Sequence, residues 1–316
     1  MSLILAIILG FTMPAQTGVN TRLRKRVGNP IGASFISFTV GALFLMIATL
    51  IIEGNLNLFT ENTLVAPFWI WLGGCLGAII VTGNIPLMTA LGSVQTSIFP
   101  IAGQIVMGII IDHFGLFRAN PIPVSAFRVI GAAIVFAGLI IVTLSRNSSG
   151  KQSGAPSVSS PAASTSSPSL WIYRIAGIGI GMASACQAAV NGYLGRLLDS
   201  SLNGSFVSFT VGMIALGVIN LLMRNHIRIK GEPGAKDPWW IWLGGVFGGT
   251  CVLGTVYFVK LLGVGLMVLA TTGGTTIGSV LVDRFGIFGA QKKKISARTI
   301  IGLVIMIAGA AMVKLL

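Results

Sequence analysis

The chain has 316 residues, 54% of them hydrophobic and only 9% charged, with a mean hydropathy of +0.91. A soluble domain carries roughly 25% charged residues. Too little charge remains here to cover a water-facing surface, so lipid is the expected solvent. The net charge of +14 does not indicate nucleic acid, because the basic residues fall in short segments between apolar runs and leave no soluble basic face to hold phosphates.

Apolar runs of about 18–22 residues read as membrane-spanning helices. In chain order they are predicted near 3–20, 31–52, 67–88, 93–111 and 124–144, then 172–192, 203–223, 239–259, 264–282 and 298–315. The first is read as a retained helix rather than a cleaved signal, since Met1-Ser2 carries no positive side chain. Between the fifth and sixth runs, residues 146–169 are dominated by Ser, Pro, Ala and Gly, which predicts a flexible linker. The expected organisation is a first repeat over 1–145, a linker over 146–169 and a second repeat over 170–316.

Three segments return at one constant shift of 171 residues. SFISFTVG from Ser34 returns as SFVSFTVG from Ser205, PFWIWLGG from Pro67 as PWWIWLGG from Pro238, and DHFGLF from Asp112 as DRFGIF from Asp283. So long a period is a duplicated domain, not a solenoid repeat. Five spans per copy force the second copy to sit upside down in the bilayer, an architecture of many secondary transporters. The expected fold is therefore an all-α membrane protein of ten transmembrane helices, built as two inverted five-helix repeats.

Loop charge sets the orientation. With the N-terminus outside, 16 of the 21 Lys and Arg fall on the inner face and 5 on the outer. Both termini are then expected outside and the linker in the cytoplasm. All six Trp lie at predicted span ends.

Catalytic and cofactor signatures are absent from the sequence. There is no GxxxxGK[ST], HExxH or GxSxG motif, and the two histidines, His113 and His226, fall in predicted loops. Cys75, Cys186 and Cys251 sit in apolar stretches without framework spacing. No enzyme activity, metal or cofactor is expected.

Polar residues inside the spans are the candidate site. Gln16 with Asn20 recurs as Gln187 with Asn191, and a spacing of four puts both amides on one helix face. Amides in hydrocarbon need partners, so they either bind substrate at a midplane cavity or hold helices together. Helices four and nine carry Pro100 with Gly103-Gln104, and Thr271-Thr272-Gly273-Gly274-Thr275-Thr276. Such interruptions predict either unwound backbone at a transport site or close packing. A third face, Ser34, Ser37 and Gly41 with Ser205, Ser208 and Gly212, reads chiefly as packing. Asn84 and Pro86 in the third span have no polar match in the third helix of the second copy, where Thr255 and Tyr257 stand, an asymmetry that could shape one end of a cavity. Acidic residues number seven and none is central in a span. Asp112 and Asp283 are the symmetric pair available for ion coupling, with a helix-end turn as their other reading and Arg128 as a partner for Asp112.

The Gln-x-x-x-Asn helix, SFxSFTVG, PxWIWLGG, Gly-Gln, IDxFG and a final Gly-rich helix together resemble the YdcZ-like family of the drug/metabolite transporter (DMT) superfamily. The resemblance covers both halves and makes the chain similar to a fused, two-domain, ten-helix member. It implies a bacterial inner-membrane protein that transports a small molecule, by export, with Gln16, Asn20, Gln104, Gln187 and Asn191 among its functional positions. Gly274-Thr275 replaces Gly-Gln in the second half. The expected function is a secondary transporter of a small metabolite or drug-like molecule working by alternating access, with Thr271, Thr272 and Thr275 completing the substrate site. A lipid scramblase or flippase and a non-transporting scaffold subunit stand as alternatives. The expected partners are the small-molecule substrate, the bilayer and a further copy of the chain.

Overall fold

The computed structural model describes residues 2–56, 60–119, 121–149, 168–224, 238–293 and 295–315, and all its regular elements among these are helical. In the first half, α1 (Ser2–Gly10) continues across Phe11 into α2 (Thr12–Val27). They are followed by α3 (Pro30–Glu53), the single turn α4 (Glu61–Leu64), α5 (Leu72–Leu91), α6 (Ser93–Phe114) and α7 (Ala126–Ser149). The second half comprises α8 (Pro168–Leu197), α9 (Ser201–Leu222), α10 (Gly244–Phe285) and α11 (Ala297–Leu315). Helices α7 and α8 both extend into the expected linker, and residues 150–167 lie outside the described residues. So do the expected inner-loop charges Arg228, Lys230, Glu232, Lys236, Asp237 and Lys294, together with His226.

Turn chemistry explains where the helices begin and end. Asn29 caps α3 by accepting from the Gly32 N–H at 2.6 Å, with Pro30 in the first turn. Helices α6 and α10 stop at Gly115 (φ 60°) and Gly286 (φ 69°), left-handed positions that glycine takes without steric cost. Two residues further on, Phe117 and Phe288 are also left-handed, at φ 57° and 60°, which costs an L-residue about 1–2 kcal/mol. Each is held by a Trp of its own half: Phe117 lies 5.6 Å from Trp69 and Phe288 lies 5.5 Å from Trp240, edge to face. The recurring DxFGxF and PxWIWLGG segments thus meet and close a helical hairpin in each half.

The second of these hairpins is joined differently from the first. Two helices over 239–259 and 264–282 are expected, and α10 carries both crossings within one stretch of 42 helical residues. A straight helix of that length would span about 63 Å, twice a hydrocarbon core of about 30 Å. Its ends nevertheless meet, because Trp240 just before it stacks on Phe288 just after it. Gly254 abuts Leu9 while Gly10 abuts Thr271. Helix α10 therefore doubles back between Gly254 and Ala270 and crosses twice. In the first half Gly92 (φ 80°, ψ 173°) makes the equivalent break outright. With α1 and α2 as one crossing, the described residues make ten.

The two halves interlock rather than sit side by side. Phe38 of α3 lies 5.0 Å from Phe209 of α9, its counterpart at the 171-residue shift. Gly131 abuts the Gly309 backbone and Gly138 the Gly302 backbone, so α7 and α11 approach closely, as small residues allow. Large apolar side chains face outward, with Ile51, Val65 and Leu221 each more than three-quarters exposed, while Asn20, Ser34 and Ser37 are buried. That arrangement, the reverse of a water-soluble fold, suits a protein solvated by lipid.

Candidate functional site

The amide pair of each half sits on the glycines of the other. A Cβ at Gly73 would collide with the Asn191 amide, and one at Gly77 with that of Gln187. At the 171-residue shift the relation repeats: Gly244 faces Asn20, and Gly248 faces Gln16. The GxxxG spacings of α5 and α10 therefore make room for polar side chains from the opposite repeat. The Ser/Gly face of α3 and α9 backs this seat, with Gly245 against the Ser37 carbonyl and Gly74 against the Ser208 carbonyl.

Where these helices diverge they enclose a cavity of about 290 Å³. Of the residues expected at the site, Gln16, Asn20, Gln104, Gln187, Thr271, Thr272 and Thr275 line it, and Asn84 does too. Asn191 does not line it. The side chains of Thr255 and Tyr257 lie outside the described residues. Gln104 donates to Ser184 Oγ at 2.9 Å, and Thr275 donates to the Gly10 carbonyl at 2.9 Å. Asn20 is 1% exposed, and neither of its amide atoms has a hydrogen-bond partner among the described residues. An unpaired buried polar group costs about 1–3 kcal/mol, and Oδ1 of the counterpart Asn191, away from the cavity, is unpaired too.

Unwound backbone is not found. Helix α6 runs unbroken through Pro100 and Gly103, and α10 is helical over Thr271–Thr276. Neighbouring helices explain why: Gly103 abuts Ile178, Gly181 abuts the Pro100 carbonyl, and Gly274 abuts Ile7. Close packing on those glycines keeps the helical path. Pro100 still lacks the N–H that would bond the Thr96 carbonyl, and both residues line the cavity. Ser93, Thr96, Ser97, Pro100 and Gln104 form a stripe along the cavity face of α6. Their spacing of three and four is a helical period present in the sequence, although Pro100 within it also reads as an interruption. Ser184, three residues before Gln187 on the same helix face, is another lining residue that the helical period could have supplied.

Neither aspartate lines the cavity. Asp112 accepts from Arg128 at 2.9 Å on the face that also carries Trp69 and Tyr193. Asp283, 3% exposed, accepts from the Ser93 N–H at 2.8 Å and the Val94 N–H at 3.1 Å. It caps α6 of the opposite half and faces a smaller pocket of about 110 Å³ with Arg22, Lys25 and Lys293. Met88 and Ser93 border both spaces.

The family model described as "Putative inner membrane exporter, YdcZ" matches the chain twice, over residues 1–141 and 172–312. The two matches are offset by the same 171 residues as the repeated segments. This chain belongs to the YdcZ family. It is a multi-pass inner-membrane transporter of the exporter type, and the YdcZ unit is present in two copies. A solved crystal structure is similar over 98% of this chain and 96% of its own, with 16% identity and a TM-score of 0.56. Likeness at that identity speaks for the fold alone. No curated protein matches the chain.

Proposed function

We propose that this YdcZ-family chain is a secondary transporter that exports a small metabolite or drug-like molecule by alternating access, with the substrate held in the central cavity. One observation carries the reading. Polar side chains from both halves, Gln16 and Asn20 from one and Gln187 and Thr271 from the other, converge on one cavity between lipid-facing walls. A scaffold has no need of such a space.

Rocking of one repeat against the other would open the cavity to each face in turn. The reciprocal seats at Gly73, Gly77, Gly244 and Gly248 form the interface about which that motion occurs. The small pocket beside Asp283 is the vestibule on the face we assign to the cytoplasm, where Arg22, Lys25 and Lys293 gather. Both chain termini are then extracytoplasmic.

The test is solute flux in liposomes carrying the purified chain, with Gln16→Leu and Gln187→Leu as variants. The expected result is at least a tenfold loss of flux with the melting temperature held within a few degrees. Equal loss of fold and flux would mean that the amides serve only to hold the helices together.

A further inference from the structure

The chemistry of the cavity wall narrows the substrate. Among the described residues that line it none is charged. The polar wall is made of amides such as Gln16, Asn84, Gln104 and Gln187 and hydroxyls such as Ser97 and Thr272, each able to donate as well as accept. Phe38 and Phe209 supply an apolar floor. A net charge moved from water into such a space would keep most of its desolvation penalty, because no opposite charge is there to offset it. A carboxylate substrate calls for Arg or Lys, and an ammonium for Asp or Glu or an open aromatic face. The phenyl rings of Phe38 and Phe209 are packed against each other and against Gly212 and Gly41. A solute with hydroxyl and amide groups instead finds partners in every direction.

The acidic groups near the cavity are committed elsewhere. Asp283 meets the wall through backbone: both its oxygens hold the N–H groups of Ser93 and Val94, and it opens on the smaller pocket. Asp112 is tied to Arg128. A proton-coupled carrier keeps a carboxylate where substrate and proton can exchange, and this cavity has none among the described residues.

We propose that the cavity carries an uncharged solute rich in hydroxyl or amide groups, of the size of a monosaccharide, polyol or nucleoside, without a compensating ion. The inference rests on the transport reading above and adds to it the charge of the cargo. A volume of about 290 Å³ lies at the lower end of small-molecule sites, in keeping with that size.

The experiment uses the purified full chain with three uncharged compounds, D-glucose, xylitol and uridine, and three charged counterparts, glucosamine, glucuronate and uridine monophosphate. Melting temperature reports binding, and uptake into liposomes at imposed potentials of 0 and −100 mV reports transport. The expected outcome is that an uncharged compound raises the melting temperature saturably at concentrations at least tenfold below those its charged counterparts require. Its steady-state accumulation is the same at both potentials. A univalent cargo, or a neutral cargo moving with one proton, would change accumulation about fiftyfold over that step. Such a change, or a preference for a charged compound, overturns the proposal and leaves the transport reading in place. Binding of an uncharged compound without flux supports the assignment of the site and overturns transport. Binding by none of the six overturns the proposal. As a second variant, Gln104→Glu keeps a hydrogen bond, now donated by Ser184, and is expected to move preference toward glucosamine at least tenfold. An unchanged preference would show that this wall does not select the cargo.

Discussion

Asp112 and Asp283 occupy equivalent positions in the two repeats and do different things. Their backbones are alike: the Asp112 carbonyl accepts from the Ile122 N–H at 2.7 Å and the Asp283 carbonyl from the Lys293 N–H at 2.7 Å, and these donors are themselves 171 residues apart. Their side chains part company. Asp112 pairs with Arg128 inside its own half, whereas Asp283 crosses to the other half and caps α6. Two substitutions accompany the divergence: the position of Arg128 is taken by Thr299 in the second copy, and that of Ile122 by Lys293, whose Nζ reaches the Leu91 carbonyl beside Asp283. Without a guanidinium to hold it, the second carboxylate finds the free N–H groups and positive dipole end of a helix N-terminus. Duplication preserved the turn and released the side chain, and the released side chain became a bond between the halves.

The comparison can be broken most severely at Asp283. Asp283→Ala leaves two buried N–H groups unpaired and removes an anionic cap, so destabilisation of about 2–4 kcal/mol is expected, read as a clear drop in melting temperature in detergent. Asp112→Ala is expected to cost less, about 1–2 kcal/mol, because the Asp112 side chain is 22% exposed and water can take its place beside Arg128. Equal losses would mean that the contact between halves adds nothing.

A smaller effect sharpens the point from the other side. Thr299→Arg restores to the second copy the partner that Arg128 provides in the first, and should draw Asp283 away from α6. Alkylation of a probe at Ser93→Cys should then speed up severalfold, while the melting temperature falls by about 1 kcal/mol equivalent, the worth of a typical cap. An unchanged alkylation rate would show that Asp283 is held by more than the missing arginine. The smallest expected effect is that of salt. Between about 0.05 and about 1 M, the stability difference between the wild type and Asp112→Asn should shrink by less than about 1 kcal/mol as the part-buried pair is screened. The corresponding difference for Asp283→Asn, where the carboxylate bonds to buried backbone, should hold constant.

Much of this architecture was legible in the amino-acid order. Lipid solvation and the duplication follow from hydropathy and a constant shift, both properties of the chain taken in one dimension. Gln16, Asn20 and Gln187 could be picked out because an amide inside an apolar run is conspicuous. Asn191 matched them in sequence and yet does not line the cavity, because a repeat cannot say which of two equivalent residues faces an asymmetric space. The role of Gly73, Gly77, Gly244 and Gly248 was hidden for a related reason. Their partners stand more than a hundred residues away in the opposite repeat, and a glycine shows no sign of what approaches it.

The sequence by itself determined the solvent, the two-copy plan and the identity of most polar residues in the spans, since each depends on composition and period alone. Only the tertiary structure decided that the amides rest on the other half's glycines, that α6 and the Thr271–Thr276 segment stay helical, and that Asp283 bridges the repeats. Those outcomes depend on which surfaces meet when two inverted copies pack, and close packing is a property of pairs of helices that no single segment carries.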